Sequence, residues 1–279
     1  MIARLRIAIL LSIAGVLLVG SAGWASGEQK ILLATTTSVR DSGLLDTLLP
    51  VFLERTGIRV QVIAVGSGAA LRMGAEGNAD VLLTHAPAGE EALVASGAVV
   101  ARRPFMQNHF VIAGPKQDLA DVRGADSAAE AYRRIAASGA PYVSRGDDSG
   151  THRREKALLR EAGLDERGGW PGFASTGTGM GGTLQVAGER RAYVLSDLGT
   201  FLAFAQRVEL EALSKPTPDL RNVYSVLRES PERFAGRVNA EGAQRFEAFL
   251  LDPDTQRRIA EFGRERYGRP LFRPLRAGE

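Results

Sequence analysis

Two patterns of apolar residues alternate along this chain, short continuous runs and segments with helical spacing. Short apolar runs at residues 31–34, 59–65 and 80–84 are typical of buried strands. Between them, apolar residues recur at helical spacing, as in the stretch from Leu44 to Leu53 that ends at Gly57. Strands and helices that alternate in this way predict an α/β fold.

The alternation continues through the rest of the chain. We predict strands at residues 110–113, 142–144, 191–196 and 223–227, helices at 127–138, 152–162 and 198–206, and a long amphipathic helix at 242–262, interrupted near Pro253. No long linker divides the sequence. Two lobes would therefore require two crossings, near residues 110–114 and 224–227. We expect a first lobe made of residues 26–111 and 223–279, and an inserted second lobe made of residues 112–222.

The first 25 residues have a different character. Arg4 and Arg6 precede an apolar run at residues 7–20, and small residues surround Trp24. A basic start, an apolar run too short for a comfortable membrane span and a small-x-small site predict a cleaved signal peptide over residues 1–25. An uncleaved membrane anchor is the alternative. The mature chain would have roughly 250 residues, enough for two lobes.

The net charge and the absence of cysteine limit the partners and the location that we expect for the protein. The formal net charge is +3, and removing the two arginines of the predicted signal peptide leaves about +1, which gives no reason to expect nucleic acid as a partner. Cysteine is absent, which excludes disulfides and a lipid-modified cysteine at the mature N-terminus. We therefore expect a free periplasmic protein, a monomer.

One local arrangement occurs three times, at residues 34–42, 65–69 and 144–152. A predicted strand ends, a short loop of Gly, Ser and Thr follows, and a predicted helix begins. The first turn of a helix has unpaired N–H groups and the positive end of the helix dipole, so it attracts anions. Such residues are also ordinary N-caps. Arg145, beside the third loop, adds the directed positive charge that an oxyanion prefers, and together these features predict a site for a small oxyanion.

Several motifs resemble those of the tungstate-binding proteins of ABC importers, in the same order and over essentially the whole mature chain. They are LATTTS at residues 33–38, RDSGLL at 40–45, VGSG at 65–68, ADVLL at 79–83, HAP at 85–87, SRGDDSGTH at 144–152, TGTGMG at 176–181 and YGRPLF at 267–272. The string at residues 144–152 is the most specific. Residues 225–228 (SVLR) depart from the more apolar strand associated with the family.

This resemblance implies the type II periplasmic-binding-protein fold, with two α/β lobes and a ligand cleft between them. It implies capture of tungstate, or of molybdate, and delivery to a membrane permease driven by a separate ATPase, with no cofactor. It also implies ligand contacts from the hydroxyls of the first loops and from the arginine loop. In this sequence those residues are Thr36, Thr37, Ser38, Ser67, Arg145, Ser149 and Thr151.

Another oxyanion is the nearest alternative, because phosphate binders have a loop similar to residues 145–151. Monohydrogen phosphate keeps a proton at neutral pH and needs an acceptor, whereas tungstate, molybdate and sulfate are fully deprotonated. Asp147 or Asp148 could be that acceptor, or could cap the helix and orient Arg145. We favour capping. A sensor that binds the same anion is a further alternative.

An enzymatic function is a different class of function, and the sequence does not favour it. No Gly-x-Ser-x-Gly elbow and no phosphate-binding loop of an ATPase are present, and no spacing of His, Asp and Glu suggests a metal-cation site. We expect His85 and His109 to form hydrogen bonds within loops and His152 to lie in the first turn of a helix.

Overall fold

The computed structural model describes residues 29–275. The predicted signal peptide, residues 1–25, lies outside this range. No helix within residues 29–275 is both long enough and apolar enough to cross a membrane.

The chain alternates strands and helices in three successive groups. The first contains β1 (Lys30–Thr36), α1 (Thr37–Asp41), α2 (Leu44–Thr56), β2 (Arg59–Val65), α3 (Ser67–Glu76), β3 (Val81–Thr84), α4 (Pro87–Ala95) and β4 (Val99–Gly114). The second contains α5 (Ala128–Ala137), β5 (Tyr142–Ser144), α6 (Gly150–Glu161), β6 (Phe173–Ser175), α7 (Met180–Glu189), β7 (Val194–Asp197), α8 (Leu198–Val208) and β8 (Glu211–Ala212), with 3-10 turns at Val122–Gly124 and Pro218–Leu220. The third contains β9 (Arg221–Glu229), α9 (Ala240–Leu251), α10 (Pro253–Glu261), α11 (Arg264–Tyr267) and β10 (Arg273–Pro274).

The main sheet has the strand order β10-β4-β9-β3-β1-β2. Its β1 strand pairs in parallel with both β2 and β3, while β9 is antiparallel to β3 and β4. Because β1, β2 and β3 are parallel neighbours, their carboxyl ends meet at one edge of the sheet, where ligands bind in open α/β folds. The loops that follow these three strands therefore come together.

The long strand β4 connects two groups of strands. It pairs with β9 as far as His109, which lies opposite Arg221, and from Phe110 onward it pairs with β7 and then β8. The small β5–β6 pair joins this second group through a bridge between Tyr142 and Tyr193. The result is two α/β lobes that share β4.

Separate apolar clusters lie on the two faces of each lobe. Phe52, Phe105 and Phe246 belong to one cluster of the first lobe, and Ala34, Leu82 and Leu227 belong to the other. In the second lobe the clusters include Tyr132, Tyr142 and Trp170 on one side and Val143, Leu184 and Phe201 on the other. Helices on both faces bury the central strand β3 at every position, which explains why its short apolar run was visible in the sequence.

Several elements differ from the sequence-based expectation, among them β4 and α4. β4 begins at Val99, well before the predicted strand at 110–113. The sequence did not reveal its first half because two arginines and Pro104 interrupt the apolar pattern there. The helix α4, which follows His85, was not predicted, and its buried Glu90 accepts a hydrogen bond from Thr84 and pairs with Arg102. The predicted break near Pro253 occurs because Asp252 accepts from the N–H groups of Asp254 and Thr255 and so caps α10.

Glu229, at the end of β9, generates a stability prediction. Its side chain is buried, and neither carboxylate oxygen has a hydrogen-bond partner among the described residues. Burial and the nearby charge of Asp80 raise the pKa of Glu229 to about 8. The folded state therefore binds a proton more tightly than the unfolded chain, so the free energy of unfolding decreases as the pH rises from the carboxylate's ordinary pKa through about 8.

We expect Glu229→Gln to raise the free energy of unfolding at about pH 8.5 by about 1–3 kcal/mol and to have a smaller effect near about pH 5.5. Urea unfolding at both pH values measures the change. Glu232→Gln, at an exposed position three residues away, is the matched control and should leave the free energy unchanged. An equal effect of Glu229→Gln at both pH values would contradict the assignment.

Candidate functional site

Three helices begin at one small cavity between the two lobes. Its lining comes from the loops after β1, β2, β3 and β5, and consists of Thr36, Thr37, Ser38, Val65, Gly66, Ser67, His85, Arg145, Ser149, Gly150 and Thr151. The first lobe supplies the residues up to His85, and the second lobe supplies the others. The structure thus brings together all seven residues that the sequence pointed to as ligand contacts.

The helix starts at this cavity are those of α1, α3 and α6. Their N-cap residues are Thr36, Gly66 and Ser149, and each N-cap has extended backbone angles. The Ser149 hydroxyl oxygen accepts from His152 N at 3.3 Å, which places His152 in the first turn as expected. The remaining first-turn N–H groups have no partner within their own helix, and the three dipoles place partial positive charge around the cavity. An anion satisfies both features.

Arg145 is the charged group of the cavity, and its side chain is only 4% exposed. Its Nη2 donates to Asp147 Oδ2 at 2.5 Å, while its Nε has no partner among the described residues. The other oxygen of Asp147 accepts from Ser149 N at 3.2 Å. Asp147 therefore both orients the guanidinium and caps α6, and the unpaired Nε–H of Arg145 remains for a ligand.

Asp148 faces away from the cavity. Its carboxylate pairs with Arg153 at 2.7 Å and with Lys156 at 3.6 Å on the surface of α6, and both cations lower its pKa. Neither Asp147 nor Asp148 lines the cavity. Their carboxylates are thus not placed to accept a proton from a bound anion.

Two further hydroxyls are unpaired. Ser67 Oγ and Thr151 Oγ1 are buried and have no hydrogen-bond partner among the described residues, and the two side chains are each 1% exposed. A buried polar group left without a partner costs about 1–3 kcal/mol. Together with Arg145 Nε, these hydroxyls are three unsatisfied donors, contributed by both lobes, that converge on one cavity.

The hydroxyls of the first loop are already engaged with one another. Thr36 Oγ1 lies 3.1 Å from Ser38 Oγ, and Ser38 Oγ lies 3.3 Å from His85 Nε2. Thr37 is half-buried and also lines the cavity. Within this loop, a ligand must compete with the existing hydrogen bonds of Thr36 and Ser38.

His85 is the titratable side chain of the cavity lining that the predicted contacts did not include, because it was expected to form hydrogen bonds within a loop. Its ring is buried, its Nδ1 lies 3.0 Å from Asn222 Oδ1 on β9, and it packs on Tyr224 at 4.8 Å between ring centroids. Burial, together with the charge of Arg145, lowers the pKa of His85 to about 4, so the ring is neutral at pH 7. Its position directly after β3, at the edge where β1 and β2 also end, was the available signal.

The lobes are in close contact at Gly150. A Cβ atom at this position would lie 2.7 Å from Ser67 Oγ and 2.8 Å from His85 Cε1, closer than side chains tolerate. Since Gly150 belongs to the second lobe and the other two residues to the first, only a glycine lets the lobes approach this closely.

Comparison with known proteins agrees with this geometry. A family profile described as a PBP superfamily domain matches residues 21–254. The chain is 43% identical, over 249 residues, to the tungstate-binding protein TupA of Peptoclostridium acidaminophilum, a match that covers 88% of this chain and 86% of that protein. The chain belongs to the TupA family of periplasmic binding proteins.

Solved structures of the TupA family share its architecture. The tungstate ABC transporter protein of Geobacter sulfurreducens is 40% identical, with a TM-score of 0.76 over 84% of this chain and 99% of that one. TupA from Desulfovibrio alaskensis is 38% identical, with a TM-score of 0.79 over 88% and 99% of the two chains. The expected fold is confirmed: a type II periplasmic-binding-protein fold with a cleft between two α/β lobes. As a TupA-family member, the chain is a solute-binding protein of the ABC-transporter class and not an enzyme.

The contact at Gly150 generates a prediction. We expect Gly150→Ala to weaken oxyanion binding by about tenfold or more, because overpacking a close contact costs roughly 1–3 kcal/mol and here it separates the lobes. Calorimetric titration measures the affinity. Gly179→Ala is the matched control, since Gly179 also lies at a helix start, as the N-cap of α7, but has no atom within 4 Å of a Cβ placed there. Equal losses in both variants would show that lobe contact is not the cause.

Proposed function

We propose that this protein captures tungstate, with molybdate as the second candidate ligand, and delivers it to a membrane permease that a separate ATPase drives. One observation carries the proposal. Arg145 Nε, Ser67 Oγ and Thr151 Oγ1 are buried, have no hydrogen-bond partner within residues 29–275, and belong to residues that line a single cavity where three helices begin. The names of the TupA relatives supply the choice of tungstate among the oxyanions.

The chemistry of the cavity supports a fully deprotonated anion. Its unsatisfied groups are donors, and the carboxylates of Asp147 and Asp148 are held by Arg145, Arg153 and Lys156 and do not line it. Monohydrogen phosphate would bring a proton that needs an acceptor. Tungstate, molybdate and sulfate bring only acceptor oxygens, which match the three unsatisfied donors of the cavity.

We also propose that ligand binding favours lobe closure. The first lobe, residues 26–111 and 223–279, contributes Thr36, Thr37, Ser38 and Ser67, and the second lobe, residues 112–222, contributes Arg145, Ser149 and Thr151. The change of β4 partners between His109 and Phe110, and the start of β9 at Arg221, support these boundaries. A ligand held by both lobes stabilises the closed form by the contacts that the open form lacks.

The site of action is part of the proposal. Residues 1–25 would be a signal peptide that is removed on export, so the mature protein would act in the periplasm as a monomer, without a cofactor and without nucleic acid as a partner. The basic start and apolar run of the N-terminus, together with the ABC-transporter relatives, support this location. N-terminal sequencing of the exported protein tests the cleavage near Ala25.

A calorimetric panel of tungstate, molybdate, sulfate and phosphate tests the ligand. We expect tungstate to bind most tightly and phosphate to bind weakly. Arg145→Ala should weaken tungstate binding by about 100-fold, because losing a buried, charge-assisted hydrogen bond costs roughly 2–5 kcal/mol.

Arg160→Ala, near the end of α6, is the matched control. Its side chain is 57% exposed and pairs with Glu166, so its loss should change tungstate affinity by less than about threefold. Tight phosphate binding with weak tungstate binding would disprove the ligand assignment. Similar losses in the two arginine variants would instead disprove the assigned role of Arg145.

A further inference from the structure

The hydrogen bonds of His85 define which of its ring nitrogens carries the proton. The side-chain NH2 group of Asn222 donates to Asn108 Oδ1 at 2.8 Å and to the Tyr224 hydroxyl at 2.9 Å. Its oxygen therefore faces His85 Nδ1, 3.0 Å away, and accepts the N–H from that nitrogen. His85 Nε2 is left as an acceptor at the cavity wall.

This acceptor determines the direction of the hydroxyl protons in the first loop. Ser38 donates to His85 Nε2, and Thr36 donates to Ser38 Oγ. If Ser38 turns its proton toward a bound anion, His85 Nε2 becomes a buried lone pair without a donor. Such an acceptor beside anionic oxygens is unfavourable unless it gains a proton of its own.

The charge balance of the cavity favours that gain. Arg145 is the charged residue in the described lining, and part of its charge is already balanced by Asp147. A fully deprotonated tungstate has two negative charges. In a cavity shielded from water, two nearby negative charges raise the pKa of an imidazole, in opposition to the effects of burial and of Arg145.

We propose that His85 takes up one proton from the solvent when a fully deprotonated oxyanion binds, so that an imidazolium Nε2–H faces the bound anion. The step forms one N–H bond and leaves one hydroxide or deprotonated buffer molecule in solution. It rests on the proposed oxyanion function and makes His85 a second positive contact of the site. Because the ring is neutral before binding, with its pKa at about 4, the whole proton must come from the medium at neutral pH.

Proton uptake by His85 must be distinguished from proton uptake by other ionisable groups around the ring. They are Arg145, whose charge acts on the ring, the arginines of the adjoining pocket (Arg153, Arg154 and Arg221), Asp197, whose charge acts on Tyr224, and Glu155, which interacts with the charge of Arg145. The arginines do not titrate near neutral pH. Burial raises the pKa of Glu155 to about 7 against its hydrogen bonds from Ser144 and Tyr142, so Glu155 is the competing site of proton uptake.

Proton uptake is measured by titrating the protein with tungstate in PIPES, HEPES and Tris, which differ in ionisation enthalpy. We expect the observed enthalpy to vary with buffer by close to one proton per anion, and the affinity to fall by about tenfold per pH unit between about pH 6.5 and about pH 8. His85→Gln keeps a polar side chain that does not titrate and should abolish both effects. His109→Gln, in the half-buried histidine outside the cavity, and Glu155→Gln should retain them.

The outcomes separate the two proposals. Absence of tungstate binding would disprove the proposed function itself. Binding without proton uptake, or uptake that survives His85→Gln or disappears in Glu155→Gln, would overturn the role of His85. If His85→Gln does not fold, nitrogen-15 spectra of the histidine rings in the unaltered protein provide the answer. Conversion of the His85 ring to imidazolium on adding tungstate supports the proposal, and an unchanged neutral ring contradicts it.

Discussion

The need to satisfy the first-turn N–H groups of three helices at one place governs this structure. The starts of α1, α3 and α6 converge because β1 and β2 are parallel neighbours in the first lobe and β5 opens toward them from the second. Water or an anion must accept hydrogen bonds from these N–H groups. Neutral hydroxyls alone do not balance the partial positive charge of the three helix dipoles. The site is thus a property of the strand arrangement, and the side chains of Ser67, Thr151 and Arg145 refine its charge and shape.

The contacts around the cavity connect ligand binding to the junction of the lobes. Asp147 holds Arg145 and the start of α6 in one unit, so the second lobe presents its charge and its helix terminus together. On the other side, the hydrogen bonds run from Ser38 through His85 to Asn222, next to the point where β4 and β9 leave the first lobe. A ligand that alters the Ser38–His85 contact therefore acts directly on the residues at the crossing. This buried polar network, which is expensive if half satisfied, lies where the two lobes join.

Much of the architecture was predictable because its signals are local. Strands β2 and β3 and the helices after β1, β2 and β5 follow from apolar runs and N-cap residues within a few positions of each other. The start of β4 at Val99 was not, since Arg102, Arg103 and Pro104 are tolerated there only through pairing with β9 and contacts such as Arg102 with Glu90. Those partners are distant in the sequence, so the local pattern does not predict them.

The amino-acid sequence by itself determined the α/β class, the donor-rich helix starts and seven of the eleven residues that line the cavity, because each depends on short-range pattern or on motifs that resemble a known family. Only the tertiary structure decided that Asp147 orients Arg145 while Asp148 turns to the surface. It also decided that His85 lines the cavity and is neutral. Those outcomes depend on contacts between residues far apart in the chain, such as His85 with Asn222 and Gly150 with Ser67. Burial and hydrogen bonding at such contacts, which no local pattern specifies, set the charge and the proton position at the site.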